Sequence, residues 1–209
     1  MNLLRPSRLN RLPPEYYTGA AWVHWVLTIE NRRTGWLDAK FLYRFREVLT
    51  HTTFRYQFAC PIYCLMPDHM HMLWSGLAQR TNQLTALQRF RSDMNESLQR
   101  VGYQFQRQAY DHVLKESEQE RNAVEATAEY IARNPERRGL VPIEHFADYP
   151  YIGCLLPGAC QLRLFRGTSW DEIWRTMSFL RRTECYRTPD EKYLPNETAD
   201  KDSADVEFA

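Results

Sequence analysis

Along residues 21–30, AWVHWVLTIE, side chains alternate: Val23, Trp25, Leu27 and Ile29 fall on one side, His24, Val26, Thr28 and Glu30 on the other. A period of two marks a strand with one buried face. After the turn NRRTG, Phe41, Leu42, Phe45, Val48 and Leu49 recur at helical spacing within 38–55. Pro61 opens a second strand, about 61–66, and MPD turns the chain into a third, 69–77. Leu84, Leu87, Phe90, Met94, Leu98 and Val101 form one stripe of a helix over 81–101, with Gly102 as its C-cap. A fourth strand falls within 103–114. Ser117 and Glu120 give the S-x-x-E of a capping box, which opens a last helix ending near Asn134, ahead of Pro135. The order strand, helix, strand, strand, helix, strand predicts an α+β fold. It is a ferredoxin-like split βαβ antiparallel sheet with two helices on one face, plus an added helix carrying Tyr130. The other face of the sheet is expected to be open.

A chain of 209 residues that is 44% apolar can bury one ordinary core. No apolar run approaches the ~20 residues needed to span a bilayer. The five cysteines form no CxxC pair, which fits free thiols in the cytoplasm. Net charge is +1 overall, but residues 189–209 hold two Lys against seven Asp or Glu, so a body of +6 carries a tail of −5. The tail reads as a solvated, disordered end or as a mimic of nucleic-acid charge. Residues 1–20 form a basic arm, and 156–188 a helical extension with a short helix at 169–182.

In HMHMLW, His69 and His71 are two apart on a strand and share a face, while Met70, Met72 and Trp74 share the other. The apolar set belongs under the helices, which puts the imidazoles on the opposite face. The spacing fits two solvated polar residues as well as a chelate for one cation. Tyr130 and Asn134, four apart, lie on one helical face. If that helix packs over the histidines, Asn134 offers a third ligand oxygen. Two imidazoles and an amide suit Mg²⁺ or Mn²⁺ better than structural zinc. A tyrosine beside such an ion can attack a phosphodiester and keep the bond energy in a phosphotyrosine. No GxxxxGK[ST] segment occurs, in keeping with strand transfer that needs no ATP. The competing reading of Tyr130 is a packing residue.

The segment CLMPDHMHMLW (Cys64–Trp74) resembles the metal-binding strand of single-tyrosine HUH transposases, in which two histidines flank a hydrophobic residue after M-P-[DN]. YIARNPERRGLV (Tyr130–Val141) is similar to that family's tyrosine helix, Y-I-x-x-N-P-x-x-x-G-L-V. YDHVLKESEQ (Tyr110–Gln119) and FADYPYIGC (Phe146–Cys154) resemble the stretches on either side of it. The likeness spans about residues 15–155, three quarters of the chain, and is nearest to the REP-associated tyrosine transposase branch. It implies a transposase domain over 21–155, with Tyr130 as nucleophile and His69, His71 and Asn134 as ligands of Mg²⁺ or Mn²⁺. Single-stranded DNA hairpins are the implied partner; the REP-associated branch implies a monomer, and members with insertion-sequence lifestyles imply a dimer. His112 stands where the family often has a histidine in a D-H pair, which leaves open a place behind the metal ligands, a contact to DNA phosphate or bracing of the strand. Lys115, where relatives often carry Arg, is the other implied DNA contact, to a phosphate. Arg5, Arg8 and Arg11, followed by Tyr16 and Tyr17, resemble a base-reading arm, since basic and aromatic residues together suit single strands; the alternative reading is a disordered terminus. His24 on the first strand could share the face of His69 and His71, although such a residue is more often structural.

Two other functions compete. A domesticated hairpin-binding protein would keep the fold without cutting. An RNA-binding module of the same fold would carry aromatics on a central strand, where this chain has His-Met-His.

Overall fold

The computed structural model describes residues 11–158, 165 and 169–183. Strands β1 (Trp22–Thr28), β2 (Phe58–Met66), β3 (His69–Gly76), β4 (Tyr110–Val113) and β5 (Ile152–Leu155) form one sheet in the order β4-β1-β3-β2-β5. Every pairing is antiparallel. The first four strands have the ferredoxin-like arrangement, with α1 (Ala39–Tyr56) and α2 (Gln83–Gln99) as the crossovers. β5 extends the β2 edge. At four residues it is too short for alternation to reveal it in FADYPYIGC.

Local chemistry sets the element ends. Asp38 accepts the Phe41 N–H at 2.7 Å, and Asn82 accepts those of Leu84 and Thr85, each at 3.1 Å, which fixes the starts of α1 and α2. Beyond α2, Gly102 takes a φ of +79°, open to glycine at little cost. Val101 falls outside the helix and is exposed rather than part of its apolar stripe. β2 begins at Phe58, not 61, because Phe58 and Ala59 already pair with Gly76 and Ser75, ahead of a register slip between Ala59 and Ile62. Pro61 sits inside that irregularity, where a residue without an N–H is tolerated.

One face of the sheet matches expectation. Trp25, Leu27, Met70, Met72 and Trp74 pack with Phe45, Leu49, Phe90 and Met94 of α1 and α2. Each such buried side chain contributes roughly 1.5–3 kcal/mol. Tyr17, expected in the arm, is fully buried there and stacks on Trp25 at 5.6 Å.

The opposite face is not open. α3 (Arg121–Ala132) lays Val124, Ala128, Ile131 and Ala132 over it, and α5 (Ser169–Thr183) adds Ile173, Met177 and Leu180. Both stripes recur at helical intervals of three and four, and with Trp22, Ile62, Cys64, Met66 and Leu73 they form a second core. Arg181 of α5 donates to Ser75 Oγ at 2.7 Å and to the Gly76 carbonyl at 3.2 Å. This arginine therefore braces the sheet rather than facing a solvent-borne ligand.

α3 also starts later than expected. A single 3-10 turn occupies Glu116–Glu118, and the helix begins at Arg121. Glu118 closes that 3-10 turn, its carboxylate accepting the Lys115 N–H at 2.7 Å. Glu120, the N-cap of α3, makes no side-chain cap hydrogen bond, so the expected Ser117–Glu120 capping box does not form. The helix does not run unbroken to Asn134. It ends at Ala132, and α4 (Asn134–Arg137) restarts with Pro135 in its first turn, where a missing N–H costs nothing.

Candidate active site

Sheet pairing gathers histidines from three strands on the face beneath α3. β3 supplies His69 and His71, and β1 supplies His24, all three buried. β4 places His112 directly opposite His24. His24 Nε2 lies 3.0 Å from His71 Nδ1, and His71 Nε2 lies 2.9 Å from His69 Nε2. His69 Nδ1 is 2.6 Å from Asp68 Oδ1, and the other Asp68 oxygen accepts from Arg32 at 2.9 Å. A line of three imidazoles thus ends on a carboxylate.

Electrostatics keep these rings neutral. Burial, then the neighbouring His24 and His69, pushes His71 down to about 2. Burial, then His112, lowers His24 to about 4. Burial also lowers His69, against the opposing pull of Asp68. Burial opposes ionisation of Asp68, but the hydrogen bonds from His69 and Arg32 hold its carboxyl below the usual range. Neutral imidazole is the form that binds a metal.

Tyr130, near the C-terminal end of α3, is 51% exposed. It lines an open cleft of ≈ 450 Å³ with His24, Tyr110, His112, Ala126 and Thr127. The Arg137 guanidinium stacks 4.1 Å from the Tyr130 ring centroid and donates to the Tyr130 carbonyl at 3.1 Å. Asn134 folds back, its Nδ2 donating to the carbonyls of Tyr130 (3.1 Å) and Ile131 (3.0 Å). The charge of Arg137, the last residue of α4, adds to the lowering of His71, and that of Arg138, its C-cap, to the lowering of His69.

A family model for IS200-like transposases matches residues 18–134, more than half of the chain. The chain belongs to the IS200-like transposase family. Its structure is similar to that of a REP-associated tyrosine transposase bound to a REP hairpin, with a TM-score of 0.57 and 17% identity over 70% of this chain and 81% of that one. At that identity the likeness is one of fold. No curated protein matches the chain in sequence. Within the family match lie β1 to β4, α1 to α3 and Asn134, whereas β5 and α5 lie beyond it.

The residues singled out in the sequence fall into three groups. His69, His71, Tyr130 and Asn134 come from β3, the end of α3 and the start of α4, around the face beneath α3. Among the described residues no group of three or more His, Cys, Asp or Glu side chains is disposed to hold a metal ion. His112 borders the cleft but engages Glu118 at 3.2 Å. Lys115 is exposed in the turn before α3. Arg11 pairs with Asp111 at 2.8 Å and lies over the Trp25 ring. It is held at the sheet edge, with Tyr17 hydroxyl donating to the other Asp111 oxygen, and is not part of a free arm. Arg5, Arg8 and the acidic tail lie outside the described residues.

Sequence reasoning missed Arg137 and Arg138, although NPERRG follows the tyrosine directly. It also undervalued His24. The alternation that placed His24 on this face was legible, but its contact with His71 depends on the β1–β3 register.

No helix among the described residues is long and apolar enough to cross a membrane.

Proposed function

We propose that this chain is a metal-dependent single-stranded DNA nicking and joining enzyme, acting on DNA hairpins through a 5′-phosphotyrosine on Tyr130. The observation that carries the proposal is the convergence of His69 and His71 Nε2, 2.9 Å apart, on the sheet face beneath the helix that carries Tyr130. Two donors held at right angles by one cation at ~2.1 Å stand ~3.0 Å apart, so the pair fits a chelate. His69 and His71 would bind through Nε2. Asn134 would bind through Oδ1, because its Nδ2 is committed to backbone carbonyls.

The donor set suits Mg²⁺ or Mn²⁺. Such an ion would draw charge from the scissile phosphate and ease in-line attack. Tyr130 Oη forms the new bond to phosphorus as the bond to O3′ breaks, and the phenolic proton ends on the departing 3′-hydroxyl. Reversal, with a 3′-hydroxyl attacking the phosphotyrosine, rejoins a strand and frees Tyr130. Arg137 holds the Tyr130 ring, and with Arg138 it brings positive charge to where the phosphate charge would develop. Membership of a transposase family supports the reaction class. The similar structure bound to a REP hairpin supports a hairpin substrate and the REP-associated branch. His112 and Lys115 would touch the strand near the cleft, and one chain would suffice for cutting.

Labelled single-stranded oligonucleotides spanning palindromes, incubated with the protein and Mn²⁺ and run on denaturing gels, test this. A protein-linked band is expected with wild type, absent in Tyr130→Phe and reduced at least ~100-fold in His69→Ala. Hairpin binding with no adduct in Mn²⁺ would overturn the catalytic reading in favour of a binding protein.

A further inference from the structure

The line Asp68–His69–His71–His24 constrains where each proton sits. A neutral imidazole has one N–H and one lone pair, whereas an ionised carboxylate only accepts. His69 therefore carries its proton at Nδ1, toward Asp68 (2.6 Å), and presents a lone pair at Nε2. That lone pair faces His71 Nε2 at 2.9 Å. Without a cation, the contact is attractive only if His71 donates from Nε2. His71 Nδ1 is then an acceptor, and the group 3.0 Å away, His24 Nε2, must donate to it. All hydrogen bonds of the line then run one way, from His24 to Asp68.

A cation bound to both Nε2 atoms reverses the far half of this line. His71 must give its Nε2 lone pair to the ion, so its proton moves to Nδ1. His24 Nε2 must then accept rather than donate. The group facing His71 Nδ1 has to serve in both states. A carboxylate or backbone carbonyl could only accept, and a lysine could only donate. A histidine does both by moving its own proton between Nε2 and Nδ1.

We infer that His24 is a positioning residue for the cation site: it aims His71 Nε2 at the ion and reverses its own hydrogen bond when the ion enters. This rests on the metal-site reading above. The asymmetry between the ligands is the point. His69 is set permanently by Asp68, itself anchored by Arg32, while His71 is set by a partner able to follow it. Partners that orient a metal-bound imidazole through its second nitrogen typically change metal affinity 10–100-fold when removed.

The test is Mn²⁺ binding by the full chain, with free ion read from its electron paramagnetic resonance signal. Wild type, His24→Ala, His24→Gln and His71→Ala are compared, with thermal melts of each. His24→Ala is expected to weaken binding by roughly 10–100-fold. His24→Gln, whose amide both donates and accepts, should recover most of the loss. Wild-type affinity in His24→Ala, alongside lost binding in His71→Ala, would overturn the positioning role and leave the metal site standing. Equal binding by wild type and His71→Ala would overturn the metal site and this inference with it. Since His24 is buried and its removal can also unfold the chain, nitrogen-15 spectra of wild type with Mg²⁺ give an independent reading. Saturating Mg²⁺ should move the His24 proton from Nε2 to Nδ1. A His24 ring left unchanged while His71 shifts would contradict the inference.

Discussion

Trp25 and His24 are neighbours on β1 and face opposite ways. Trp25 lies among Tyr17, Trp74 and the apolar faces of α1 and α2, a surround that favours burial of large side chains and little else. His24 lies in a row of imidazoles, with α3 above and β4 alongside. Both residues are buried, but the first surround is mainly apolar, whereas the second sets imidazole nitrogens against one another. The first face holds the sheet together, and the second holds donors in fixed positions near an exposed tyrosine. A site built this way keeps its geometry because the face behind it is a buried apolar core.

This division predicts that stability and metal binding separate cleanly between the faces. Trp25→Ala should cost about 3–5 kcal/mol in urea unfolding. His71→Ala should cost no more than about 1–2 kcal/mol while abolishing Mn²⁺ binding. The comparison breaks if His71→Ala unfolds the chain as readily as Trp25→Ala does.

The next effect is pH. An unfolded histidine takes up a proton near 6.5, but in the folded chain His24 is lowered to about 4 and His71 to about 2. Below 6.5 the unfolded chain binds protons that the folded chain refuses. The stability these rings contribute is therefore complete above 6.5. It declines as pH falls toward 4 for His24 and further for His71, at roughly 1.4 kcal/mol per pH unit for each ring. Melting temperatures from pH 7 to 4 should show the decline, and His24→Gln should make it shallower. A flat profile would place the rings in a wetter setting than the second face provides.

The smallest effect concerns α5, which closes the second face. Arg181→Ala should lower stability by about 1 kcal/mol through loss of its bonds to Ser75 and Gly76, with hairpin affinity unchanged. Weakened hairpin binding at unchanged stability would instead make α5 a DNA surface.

Much of this was legible in the chain. The alternation of Met70, Met72 and Trp74 against His69 and His71 assigned both faces of β3 correctly, because a strand side chain can only go up or down. Gly102 marked one helix end through local chemistry, whereas the caps Asp38 and Asn82 were found only in the structure. The cover on the second face was not legible. Ile173, Met177 and Leu180 are amphipathic in sequence, but nothing local says which surface they meet. The break at Arg133 was hidden for a related reason. Proline reads as a stop, yet it also starts helices, and only tertiary packing decides between the two. His24 shows the same limit at the site: its face was evident, and its partner depended on a pairing 47 residues away.

Which side chain carries the DNA decides the mechanism. The cleft contains two half-exposed tyrosines, Tyr130 on α3 and Tyr110 on β4. The covalent adduct formed with Mn²⁺ should be digested with nuclease and protease, and the modified peptide located by mass spectrometry. A nucleotide phosphate on Tyr130, with Tyr110 unmodified, is the result predicted here. A phosphate on Tyr110 or on any other residue would contradict it.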